Sequence, residues 1–227
     1  MALILSENGG GSREPFEPVP AGSHTARVVT LIDLGLQEST WEGTVRYREE
    51  IWMGWEVPGF RVSWTTSEGE EKEGPGLVTR RFTATLNEKS NLGKLLREWR
   101  GRPFSEEEKK KFDIRVLLDK PCTLVTTIEK SKKTGNPYAK VVTALNPKKG
   151  DKIPERETQL TLYDPSSAEA PQVLERLPKF IRELCVIGHK LDTPVSAEQL
   201  DKVEPEPVQK APAPEKDADD FDDDIPF

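Results

Sequence analysis

Residues 77–101 read LVTRRFTATLNEKSNLGKLLREWRG, and the fold turns on a change of period inside them. Val78, Arg80, Phe82, Ala84 and Leu86 alternate with Thr79, Arg81, Thr83 and Thr85. A two-residue alternation rich in β-branched and aromatic side chains is the pattern of a half-buried strand. After Asn87 the spacing changes. Leu92, Leu95, Leu96 and Trp99 recur at i, i+3, i+4 and i+7, which places them on one face of a helix. Asn87 can cap that helix and Gly101 can end it. A strand therefore runs into a helix, and what flanks the pair decides the topology.

Upstream, HTARVVTLIDLGL (24–36) and TVRYREEIWMGWEV (44–57) predict two strands, the second closed by a Pro58-Gly59 turn. FRVSW (60–64) predicts a short continuation, and the charged run TTSEGEEKEG (65–74) a mobile loop. Downstream, Ser105 and Glu108 form a capping box for a second short helix ending near Lys120. PCTLVTTIEKS (121–131) and YAKVVTAL (138–145) predict a fourth and a fifth strand, joined by the turn KKTGNP (132–137) into a hairpin with a basic tip. Three strands, helices, then a hairpin is the element order of an OB-fold, a five-stranded barrel with its helix between strands three and four. A small SH3-like barrel is the competing topology. The expected class is mainly β with helices.

After residue 150 a polar linker leads to QLTLY (159–163) and then to a helix. Pro178 suits its first turn, Phe180, Ile181, Leu184 and Ile187 form its apolar face, and Gly188 marks its end. This helix is expected to pack on the barrel or on a second copy, so a homo-oligomer, first of all a dimer, is in view. From about Leu191 the chain is rich in Pro, Glu and Lys, a composition that predicts disorder. The expected organisation is a flexible arm over 1–20, a folded domain with its C-terminal helix over 21–190, and a linker with an acidic tail over 191–227.

Hydrophobic residues make up 34% of the chain and charged residues 32%, which fits a modest core with long solvated extensions. No apolar window of about 18 residues predicts a membrane span, and the short run ALIL at the N-terminus has no positive flank and predicts no signal peptide. Cys122 and Cys185 form no CxxC and lie among apolar residues, as buried free thiols of a reducing cytoplasm do. With two histidines, His24 and His189, beside them, no zinc site, Cys/His nucleophile, metal or cofactor is expected. No paired-carboxylate spacing points to an enzyme.

The net charge of −7 is placed unevenly. Residues 201–227 carry ten acids against three bases, which accounts for all of it. Residues 120–150 hold seven lysines against the single acid Glu129, and residues 76–102 hold seven Lys or Arg against Glu88 and Glu98. Basic regions of the body joined to an acidic tail fit a polyanion partner and a built-in competitor for it.

Strand parity selects the candidate contacts. On the second strand Val45, Tyr47, Ile51, Met53, Trp55 and Val57 take the parity expected for the core, and Arg46, Arg48, Glu50, Trp52 and Glu56 take the other. A Trp among arginines on an open sheet face is what base stacking with phosphate neutralisation requires; the alternative is that Trp52 covers the barrel under a loop. Arg81 points the same way from the third strand. Lys132, Lys133, Tyr138 and Lys140 gather at one end of the last hairpin, basic residues interleaved with an aromatic one. Trp41 and Trp64 stand near loops without an assigned role, and Trp99 belongs to the core.

The C-terminus reads DADDFDDDIPF (217–227). Its last residues, Phe221 to Phe227, closely resemble the C-terminal tip of bacterial single-stranded DNA-binding proteins. In that family an OB-fold body binds DNA and an acidic tip recruits replication and repair proteins. The second strand and KSNLGKLLREWRGRPFSEEE (89–108) look more like bacteriophage-encoded single-stranded DNA-binding proteins with an OB fold. The resemblance implies Asp222, Asp223, Asp224, Ile225, Pro226 and Phe227 as a partner-binding tip addressing host or phage replication and repair proteins. It implies a non-enzymatic role in replication or recombination in the host cytoplasm, with single-stranded DNA as the ligand. Two rivals remain at this point: an adaptor or DNA mimic acting through the tail alone, and a nuclease.

Overall fold

A computed structural model of the chain describes residues 17–191, with 42, 43, 66–68, 133 and 149 excepted. Six strands make one mostly antiparallel sheet: β1 (Gly22–Trp41), β2 (Thr44–Thr65), β3 (Glu71–Thr83), β4 (Pro121–Lys130), β5 (Pro137–Leu145) and the short β6 (Thr161–Tyr163). The order across the sheet is β3-β2-β1-β4-β5, and β6 pairs with β1 in parallel. The first six residues of β1 pair with β4, from Gly22 opposite Thr126 to Arg27 opposite Pro121, and Arg27 to Trp41 pair with β2. This double pairing makes β1 the spine of the fold.

The strands are longer than their sequence signals. Pro58-Gly59 does not close β2. It sits in an irregularity between Val57 and Arg61, after which β2 continues beside β3 to Thr65. Pro lacks a ladder donor, so a bulge on the strand is where it fits. Part of the run expected as a loop, Glu71–Gly74, is accordingly the start of β3.

Helix α1 (Asn91–Arg100) follows β3 and buries Leu92, Leu95, Leu96 and Trp99, the face its spacing predicts. Ser90, not Asn87, is its N-cap: the Ser90 hydroxyl accepts from Gly93 N, while Asn87 accepts from Lys89 N in the preceding turn. Gly101 ends α1 at φ 72, in the left-handed region that favours glycine. The Ser105–Glu108 capping box opens α2 (Glu106–Lys111) as expected, but α2 stops at Lys111 and a separate 3-10 turn covers Ile114–Leu117.

Two apolar clusters lie on opposite faces of the sheet. The larger holds Leu31, Met53, Trp55, Phe82, Leu124 and Val141 under α1. The smaller joins Ile32, Leu34 and Trp52 to Tyr163 and to two C-terminal helices, α3 (Ala170–Arg176) and α4 (Lys179–Leu191). Gly188 does not end α4. It is buried against β1, where an added Cβ would stand 1.9 Å from the Leu34 carbonyl oxygen. Gln37 Nε2 donates there to both Leu34 O and Leu184 O, at 2.7 and 3.0 Å.

The two edge strands, β3 and β5, come close without a ladder between them. Arg80 Nη1 bridges the seam to Val141 O at 2.6 Å, and its guanidinium lies over Phe82. The expected barrel is thus an open sheet bent around its core. Among the described residues no helix is long and apolar enough to cross a membrane.

Candidate nucleic-acid interface

The hairpin of β1 and β2 runs past the core. Val45 and Tyr47 keep the core-facing parity, yet both are 49% exposed and belong to neither apolar cluster. Tyr47 stands opposite Glu38 and donates its hydroxyl to Glu38 Oε2 at 3.2 Å; the nearby carboxylate holds the phenol above its usual pKa. Arg46 is exposed and Arg48 half-buried on the other face, opposite Ser39 and Gln37. The hairpin therefore offers an aromatic ring on one face and two arginines on the other. Sequence parity hid Tyr47 by assigning it to the core; the signal that could have found it is the polar run on both sides of residues 42–43.

The hairpin of β4 and β5 has a closely bonded tip. Ser131 N donates to Asn136 O, Gly135 N to Ser131 O, and Thr134 N to Ser131 Oγ, at 2.8–3.0 Å. Gly135 supplies the left-handed residue at φ 73. Lys132 is exposed on this tip, and Lys133 lies outside the described residues. Behind the tip, Glu129 gathers two of the candidates. Tyr138 donates its hydroxyl to Glu129 Oε2 at 3.2 Å, and Lys140 Nζ reaches Glu129 Oε1 at 3.0 Å. These groups are partly exposed, so the pair is a weak one and can be exchanged for a phosphate at small cost.

Two expected contacts do not stand on an open face. Trp52 has the parity predicted, but it is only 3% exposed, because α4 covers this side of the sheet and Phe180 meets the indole edge-on at 6.0 Å. It is a core residue of the second cluster, unable to stack on a base. Arg81 lies beside it in register. Its guanidinium is bonded to the carboxylate of Glu50, which is 2% exposed, and it reaches Gln37 Oε1 at 3.4 Å. Burial pushes the Glu50 carboxyl upward and Arg81 pulls it back. Arg81 thus serves as the counter-ion of a buried acid, and removing it would strand that charge.

Glu56 is covered by a different segment. It is fully buried and accepts the backbone N–H groups of Glu157 and Thr158, at 3.1 and 2.6 Å. The segment before β6 is thereby strapped across β2. Both cysteines are buried free thiols, as expected, and burial pushes each up to about 12. Among the described residues no cluster of three or more His, Cys, Asp or Glu side chains could hold a metal ion. The tip residues Asp222, Asp223, Asp224, Ile225, Pro226 and Phe227 lie outside the described residues.

No protein-family model, curated protein or solved structure matches this chain. The functional reading rests on the chain's own residues.

Proposed function

We propose that this protein binds single-stranded DNA without sequence preference, through its projecting hairpins, on an OB-type body whose barrel is left partly open. One observation carries the reading. A β3-β2-β1-β4-β5 sheet with α1 between β3 and β4 extends two hairpins, and each bears both cations and an aromatic ring. In OB-folds the corresponding two loops flank the oligonucleotide. Arg46, Arg48 and Tyr47 serve from one hairpin; Lys132, Lys133, Lys140 and Tyr138 serve from the other. Trp52 and Arg81 on the β2–β3 face take no part, since Phe180 of α4 packs on the one and buried Glu50 holds the other. The C-terminal tip is proposed to recruit replication or repair proteins, and the protein to act as a binding module rather than an enzyme.

The test is fluorescence anisotropy of a labelled oligo-dT titrated with the full chain at low and high salt. Binding at low salt is expected, with log K falling against log salt by about 0.7 per phosphate neutralised. No binding at low salt ends the proposal and leaves the tail-only adaptor.

A further inference from the structure

A third hairpin, formed by β2 and β3, also leaves the body. Strands β2 and β4 both run antiparallel to β1, so the β2–β3 and β4–β5 hairpins leave from the same end of the sheet, opposite to the β1–β2 hairpin. Along β2 here, Phe60, Val62 and Trp64 alternate with exposed Arg61 and Ser63. Two glycines of β3 face the rings. A Cβ on Gly76 would come within 2.8 Å of Phe60 Cδ1, and a Cβ on Gly74 within 3.0 Å of Trp64 Cη2. The six-membered ring of Trp64 therefore lies directly against backbone, and Gly74 is buried although it is part of a projecting ribbon. Trp64 itself stays 45% exposed. Lys72 stands opposite it in register, while Glu71 and Glu73 take the other parity of β3. Arg61 ties the base of the hairpin to Glu73 and Glu157, at 2.8 and 2.6 Å.

A large ring held against a glycine, on a braced ribbon, has given up its rotamer freedom before any ligand arrives. Such a surface is preorganised for stacking. Its hairpin is acidic, so it suits the π-face of a base better than a phosphate, and the β4–β5 tip at the same end supplies the cations. We propose that Trp64 is a base-stacking residue of the single-strand site, an inference that rests on the single-stranded DNA reading above.

The experiment uses the full chain carrying Trp41→Phe. Trp52, Trp55 and Trp99 are 3%, 0% and 5% exposed, so any quenching of Trp emission by oligo-dT then reports on Trp64. Quenching that saturates together with the anisotropy is expected, as is its loss in the Trp41→Phe/Trp64→Phe protein. Trp64→Ala should weaken binding by about 5- to 150-fold, the range for one lost stack. Binding without quenching, or an unchanged affinity in Trp64→Ala, reduces Trp64 to a staple of the hairpin and overturns the inference while the DNA reading stands. Absence of any anisotropy change at low salt overturns both.

Discussion

Trp52 and Tyr47 exchange the roles that strand parity assigns them. Parity states which face of a sheet a side chain takes; it is silent on whether that face is open. Trp52 takes the outer face and is buried by α4, while Tyr47 takes the inner face and is exposed beyond the last core layer. Trp52→Ala should therefore act on stability. The cost expected for an aromatic core truncation is about 3–5 kcal/mol, read as a shift in the urea midpoint, and the affinity of the folded protein for oligo-dT should stay unchanged. A stable Trp52→Ala protein that has lost DNA binding would reverse the assignment. The buried thiols were legible for two reasons: Cys185 lies between Leu184 and Val186 in an apolar helical stretch, and Cys122 shares the strand parity of Leu124.

Among the elements, those with local signals could be read and those fixed by distant contacts could not. The face of α1, the Ser105–Glu108 box and the β4–β5 hairpin are set by residues within one or two turns of each other. The continuation of β2 through Pro58, the closeness of α4 to β1 and the parallel pairing of β6 depend on partners up to about 150 residues away. Gly188 shows the difference well. A glycine near the end of an apolar helical stretch reads as a stop, yet here it lets a helix touch a strand. Gly188→Ala should lift α4 from β1. The expected signature is a lower Tm with one newly reactive thiol, Cys185, measured with a disulfide reagent at pH 8, while Cys122 in the other cluster stays silent. A Gly188→Ala protein with both thiols still protected would show that the contact has slack.

For the whole molecule the separation of charge matters most. The body over residues 1–200 is neutral in sum, and residues 201–227 carry the entire −7. On the proposed reading, an anion tethered to a protein with basic hairpins competes with DNA for them. Deleting residues 217–227 should tighten oligo-dT binding at low salt, and the gain should vanish toward 1 M salt, where the Debye length is about 3 Å. Equal affinities at low salt would rule out competition and leave recruitment as the one role proposed for the tail.

The covering of the sheet by α3 and α4 also has a consequence during synthesis. β1, β2 and β3 are contiguous and can pair as soon as they are made, but Ile181 and Cys185, which bury Trp52, Ile32 and Leu34, are translated some 130 residues after Trp52. At 5–20 residues per second this delay is on the order of ten seconds. Throughout it the emerging meander shows an apolar strip of Ile32, Leu34 and Trp52 to solvent. Ribosomes stalled before residue 170 should hold a nascent chain that hydrophobic-patch chaperones bind, and release should coincide with the arrival of α4.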